Sequence, residues 1–200
     1  MIVTRNWYKG LEPQKVYEYF DKLSMIPRET GNMEHVSDAV VSWIADLGLK
    51  VSKDEYCNVK AFKPASAGYE ECDAVMFTAH LDMVCAKVDG STHDFAKDPI
   101  DIIVEDGGKI TADGTTLGAD DGMGVAMILA ILADDDLPHP PLEVLFTTDE
   151  ETDMNGALKA DYSDFRSTLI INLDGDPIGI AGAGELDTRE RFAFGTEAVR

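Results

Sequence analysis

Three apolar, β-forming runs, residues 75–79, 142–147 and 169–173, constrain this chain more than any other feature it has. Each has the length of a strand, and helical segments stand between and before them. Strands alternating with helices in this way predict an α/β fold in which a sheet is covered on both faces. Each run ends in polar residues. The first leads into His80 and Asp82, the second into Glu150 and Glu151, and the third into Asp174. Open α/β sheets build their sites at the carboxyl ends of strands, so the three runs are expected to bring these side chains to one rim.

The helices read from spacing. Val16, Tyr19, Phe20 and Leu23 recur at helical intervals between residues 12 and 25, with Pro13 suited to a first turn and Pro27 closing the segment. Val36, Val40, Trp43, Ile44 and Leu47 mark a second helix over 33–47, and Gly48 stands where a helix end favours positive φ. Short β-like pieces come next, at 49–52 and 58–62. Residues 100–105 and 109–112 read as a hairpin with a turn at Asp106, Gly107 and Gly108. A Gly/Asp-rich loop over 114–124 precedes an apolar helix over 125–133, and a shorter helical piece is expected near 156–159. Asp134, Asp135 and Asp136 then read as a solvated turn, because acid is disfavoured at a helix C-terminus.

Composition excludes several classes. With 17 basic and 38 acidic residues the formal charge is −21, which repels nucleic-acid phosphates and anionic lipid surfaces. No segment approaches the ~18 uninterrupted apolar residues of a membrane span. Cys57, Cys72 and Cys85 are odd in number and lack C-x-x-C spacing, which fits a reducing cytoplasm better than a disulfide framework. Neither nucleic acid nor membrane is expected as a partner.

Residues i and i+2 of a strand point to one side, so His80 and Asp82 can face a common pocket while Leu81 packs the other way. One binds a cation and the other fixes the imidazole ring. The loop Gly118–Gly122, carrying Asp120 and Asp121, can reach the same rim. Each piece has a plainer reading when taken alone. Asp120 and Asp121 could cap the next helix, Glu150 and Glu151 could start one, and Asp174 with Asp176 could make a turn. Coincidence of all four at strand and loop ends favours a metal site. One imidazole with several carboxylates suits zinc, cobalt or manganese. A carboxylate shared by two cations holds them roughly 3.5 to 4 Å apart, and adjacent Glu150 and Glu151 can then divide labour, one ligating and one taking a proton.

The set T-A-H-L-D-M at 78–83, H-D-F-A-K-D-P at 93–99, G-T-T-L-G-A-D-D-G at 114–122, D-E-E at 149–151 and I-N-L-D at 171–174, with P-A-S-A-G at 64–68, resembles the cytosolic aminoacyl-histidine dipeptidases. These are dinuclear zinc exopeptidases, a class that includes aminoacylases and glutamate carboxypeptidases. The resemblance implies a central mixed, largely parallel sheet flanked by helices, and a pair of divalent cations, zinc first, with cobalt or manganese as alternatives. His80 and Asp174 would ligate one cation, with Asp82 as the clamp on His80. Asp120 would bridge, Glu151 would ligate the other cation, and Glu150 would act as general base. The Asp120–Asp121 peptide would be cis. The implied substrate is a dipeptide of the Xaa-His type, the location cytoplasmic, and the full-length protein a homodimer. A deacylase of N-acyl amino acids, a carboxypeptidase, or a non-catalytic metal-binding protein on the same scaffold are the rival readings.

Two departures stand out. Gly122 occupies a place where the wider class often has lysine, which leans towards the histidine-dipeptidase branch. The family also takes a last ligand from a histidine late in a longer chain, and no histidine follows His139. His139 precedes a strand at the end opposite the ligands, His35 belongs to a helix, and His93 lies in a loop without an implied ligand role. Residues 1–185 are therefore expected to be the N-terminal part of a catalytic domain. Residues 186–200 would begin an inserted lid and dimerisation domain, and the 200 residues alone would be weak or inactive.

Overall fold

The computed structural model describes residues 7–106 and 108–174, together with the backbone of residues 182–185. The chain runs α1 (Gln14–Ser24), α2 (Glu34–Asp46), β1 (Lys50–Lys53), β2 (Val59–Lys63), β3 (Val75–His80), β4 (Ile102–Val104), β5 (Ile110–Ala112), α3 (Ala119–Leu132), β6 (Leu142–Thr147), α4 (Asn155–Lys159), β7 (Leu169–Asn172) and β8 (Gly182–Glu185). Residues 186–200, where a second domain was expected to begin, lie outside the described residues, as do Gly107 and Asp176.

Six strands form one sheet in the order β1-β2-β6-β3-β7-β8, and β4 pairs with β5 apart from it. The sheet is mixed, as expected, but less of it is parallel than the resemblance implies. Among the described residues only β3 with β6 and β3 with β7 pair in parallel. The pairings β1 with β2, β2 with β6 and β7 with β8 are antiparallel. The parallel trio is the part that matters for the site. It sends the ends of β3, β6 and β7 to a common rim.

The apolar stripes of α1 and α2 face inward as their spacing predicts, with Val16, Tyr19, Phe20 and Leu23 on one and Val36, Val40 and Ile44 on the other. Together with α3 they share a core with Val59, Ala61, Ala79, Val144 and Phe146 of the sheet. Full burial of a side chain such as Phe146 contributes about 1.5–3 kcal/mol. Alternate residues of the same strands face away and meet the segment that follows α4. Lys60 Nζ donates to Asp161 O and Asp164 Oδ2, each at 3.0 Å, and the Phe62 ring lies 5.6 Å from that of Phe165. Among the described residues this second face is covered by a short helix and a loop, not by a layer of long helices. It also explains an acid in a buried strand: Glu143 accepts from Arg166 N at 2.9 Å and from Ser167 N and Oγ at 2.9 and 2.6 Å.

The helix expected from residue 125 begins earlier. Asp120 and Asp121 have non-helical backbones, and regular turns start at Gly122. Gly122 and Gly124, which read as loop residues, lie in the helix, where their neighbours leave no space for a side chain. A Cβ at 122 would meet the Arg28 guanidinium and Phe20, and one at 124 the Asp121 carboxylate. Beyond α3 the triple aspartate forms the expected turn, Asp134 Oδ1 accepting from Asp136 N at 2.9 Å. Lys63 Nζ donates to Leu132 O at 3.0 Å and Asp134 O at 2.6 Å, satisfying carbonyls that the helix end exposes. The three cysteines are free.

Candidate metal centre

His80 is the last residue of β3 and pairs with Thr147, and Leu81 N extends the ladder by donating to Thr147 O at 2.8 Å. Leu81 enters the core, while His80 and Asp82, 2% and 0% exposed, turn towards the rim. Nδ1 of His80 lies 3.1 Å from the Asp82 carbonyl and 3.4 Å from its Oδ1. Nε2 faces the opposite way, 3.1 Å from Asp120 Oδ1 and 3.8 Å from Glu150 Oε2. Asp82 does more than touch the imidazole. It accepts from Thr30 Oγ1 at 2.8 Å, and from Glu150 N and Glu151 N at 3.2 Å each.

The paired aspartates divide. Asp120 is exposed and approaches the ring of His80, whereas Asp121 is buried and accepts from His80 N at 3.3 Å and Gly124 N at 3.2 Å. The capping reading therefore holds for Asp121, and the Asp120–Asp121 peptide is cis. Two groups result. Ligand atoms of His80, Asp120 and Asp174 lie within 4.8 Å of one another, and so do those of His80, Glu150 and Glu151. The structure thus brings His80, Asp82, Asp120, Glu150, Glu151 and Asp174 to one place. His93 is half-buried against Phe95 and belongs to neither group, His139 is buried at the start of β6 with Nδ1 2.7 Å from Pro140 O, and His35 is exposed.

Electrostatics follow from crowding. Burial alone would lower the pKa of His80, but the hydrogen bond and charge of Asp82, with the charges of Asp121 and Asp174, hold it up at about 9. Burial raises Asp121 to about 7, against His80 and with help from Asp174 and Asp120. Glu150, Glu151 and Asp174 are raised too, first by burial and then by one another's neighbourhood of carboxylates, with His80 opposing. Burial pushes Asp82 upward as well, yet His80, Thr30 and the Glu151 N–H bring it below the usual carboxylate range. Several acids around one imidazole hold an excess of negative charge. A divalent cation fits that donor set, one nitrogen with carboxylate oxygens and a second carboxylate fixing the ring.

Sequence reasoning missed the residues that hold the site from behind. Arg28 and Thr30, in the loop after α1, both reach Asp82. Asn58, 1% exposed, donates through Nδ2 to Gly156 O at 2.8 Å and accepts from Thr148 N at 3.2 Å, tying down the loop that carries Glu150 and Glu151. A single arginine or asparagine in a loop carries no local signal for such a role. Asp82→Ala is expected to lower stability by about 3–5 kcal/mol, because it breaks the buried pair with His80 and leaves the Glu150 and Glu151 N–H groups without their acceptor. Urea unfolding of the metal-free chain measures it, and a loss below about 1 kcal/mol would contradict the buried pairing.

The parallel strand ends of this mixed sheet gather one histidine and several acids, and residues 76–174 match the model of peptidase family M20/M25/M40. Those residues belong to that family. It is 39% identical over 192 residues to the cytosol non-specific dipeptidase of Escherichia coli K12, covering 94% of this chain and 39% of that protein. The crystal structure of aminoacylhistidine dipeptidase from Vibrio alginolyticus superposes with a TM-score of 0.82 at 38% identity, covering 86% of this chain and 35% of that one. Aminopeptidase PepT of Bacillus cereus superposes with a TM-score of 0.67 at 26% identity, over 82% of this chain and 43% of that one. The chain spans about two-fifths of the length of the curated relatives it matches. Among the described residues no helix is long and apolar enough to cross a membrane.

Proposed function

We propose that these residues form the metal-binding part of a dipeptidase that hydrolyses Xaa-His dipeptides in the cytoplasm, working in its full-length form as a homodimer. Residues 1–185 would contribute to the catalytic domain and residues 186–200 would open the lid and dimerisation domain. The observation that carries the reading is the buried His80, with Nε2 turned towards Asp120 and Glu150 and with Glu151 and Asp174 within ligand range. The names of the E. coli and Vibrio relatives, both dipeptidases, support dipeptides as the substrate class.

His80 and Asp174 would hold one cation, preferably zinc, Glu151 the other, and Asp120 both. Bound there, the cations would supply Lewis acidity, polarising the scissile carbonyl and lowering the pKa of a water towards ~7. With Nδ1–H donating to Asp82, the ring would offer Nε2 to the cation. Glu150 takes the proton from the attacking water and passes it to the leaving amine. Its raised pKa makes it a stronger base than an ordinary glutamate.

Both ligand groups share His80, and a single imidazole nitrogen serves one cation. The 200-residue chain is therefore expected to bind one equivalent of zinc tightly and a second at least about tenfold more weakly, with carboxylates alone as protein ligands. Calorimetric titration measures this, and two equally tight equivalents would contradict the ligand set. Turnover of β-alanyl-histidine by these 200 residues should be weak, and a full rate would refute the reading of an incomplete site. In the product of the complete gene, hydrolysis of Xaa-His dipeptides should exceed that of acetylated amino acids. The opposite order would favour a deacylase, and less than one tightly held transition metal a non-catalytic protein.

A further inference from the structure

Arg28, 2% exposed in the loop between α1 and α2, donates through Nη1 to the carbonyls of Leu81 at 3.0 Å and Asp82 at 3.1 Å, and through Nη2 to the carbonyl of Gly118. Leu81 and Asp82 directly follow His80, and Gly118 comes two residues before Asp120. A single planar fork thus joins the two backbone stretches that carry donors from opposite sides of the site. The connection is reinforced on one side: Met83 N donates to Arg28 O at 3.1 Å, and Thr30 reaches the Asp82 carboxylate.

The turn is shaped around this guanidinium. Gly118 has φ +68, and a Cβ there would meet Nη2 of Arg28 and, at 2.7 Å, Sδ of Met83. A Cβ at Gly122 would meet the same Nη2 and, at 3.1 Å, Cε2 of Phe20. A side chain at 122, such as the lysine of the wider class, therefore displaces the Arg28 guanidinium from this position. Burying a guanidinium is costly, and an apolar residue of similar volume would serve stability as well or better. What it could not supply is a rigid set of donors aimed at carbonyls of separate segments, and lysine cannot supply that geometry either.

The geometry points to Arg28 as a positioning residue: its guanidinium sets the separation between the His80–Asp82 strand end and the Gly118–Asp120 turn, and so fixes how closely Asp120 stands to His80. This inference rests on the metal-site reading above. Arg28 touches no reacting atom. It acts through two backbone segments, and its loss should disturb the coordination geometry and not only the melting temperature.

The test uses the chain with Co(II), whose visible absorption reports ligand number and geometry. The wild-type chain is titrated beside Arg28→Lys, Arg28→Gly and Gly122→Ala, and circular dichroism follows folding of each. Arg28→Lys keeps the charge and loses the fork. Gly122→Ala keeps Arg28 and displaces it. In both, Co(II) affinity should fall on the order of 10–100-fold with an altered band shape, while the fold persists. In Arg28→Gly, millimolar methylguanidinium should restore the wild-type spectrum, whereas methylammonium at the same concentration should not. Folded variants with wild-type spectrum and affinity would overturn the proposal. So would unfolding of all three, which would make Arg28 a residue of stability alone. If the wild-type chain itself fails to bind Co(II), the metal-site reading falls, and this inference with it.

Discussion

His80→Ala is expected to reduce divalent-cation affinity on the order of 10³-fold, beyond the 10–100-fold typical of losing an outer hydrogen-bond partner. Both ligand groups contain His80, so this one change removes the nitrogen donor from each. The same residue sets the pH dependence of loading. In the metal-free chain its ring keeps a proton up to about pH 9, held by Asp82 and the charges of Asp121 and Asp174 over the opposing effect of burial. A cation must displace that proton. Apparent affinity should therefore rise about tenfold per pH unit as the pH increases towards that value, and level off above it. Calorimetry in buffers of different ionisation enthalpy would count the released proton. His80→Ala should bind weakly and lose that contribution to the slope, and an affinity within tenfold of wild type would remove the metal site from consideration.

Glu150→Gln has the second largest expected effect, and its character differs. The change is isosteric and leaves the backbone N–H that donates to Asp82 in place. Metal content should stay at the wild-type level while kcat of the complete gene product falls about 10²–10⁴-fold, the usual contribution of a positioned general base. KM should change little. Glu151→Gln supplies the contrast, because it should lower metal affinity before it lowers the rate of the loaded enzyme. Measuring metal content and kcat on the same preparations separates the two roles. Equal metal loss in both variants would show that the adjacent glutamates do not divide their labour as proposed.

Apart from Asp120, which comes from a loop, the residues that meet at the rim were legible because each comes after a strand-length apolar run. Parallel neighbours end on the same side, so the run alone tells where its last polar residue goes, as for His80, Glu150 and Asp174. The i and i+2 alternation also predicts that Leu81 enters the core while its neighbours do not. Other features had no such rule behind them. Gly122 and Gly124 signal a loop by composition, whereas in the fold they lie in α3, where Arg28, Phe20 and Asp121 leave no room for a Cβ. The division of Asp120 from Asp121 was equally hidden, since both are aspartates before the same helix. Sheet direction beyond the central trio also escaped, because β1 and β2 carry the same alternating pattern whichever way they pair.

Local periodicity and the chemistry of residue types determined the α/β class, most strand and helix positions, and the set of side chains able to hold a cation. These are short-range properties: a strand's alternation and a carboxylate's affinity for hard or borderline cations do not depend on distant neighbours. Which acid faces Nε2 of His80, which one caps α3, and how Arg28, Thr30 and Asn58 hold the site's loops were decided only by tertiary structure. Each depends on carbonyls and carboxylates brought together from segments roughly 40 to 100 residues apart, and no pattern within one segment records where the others will be.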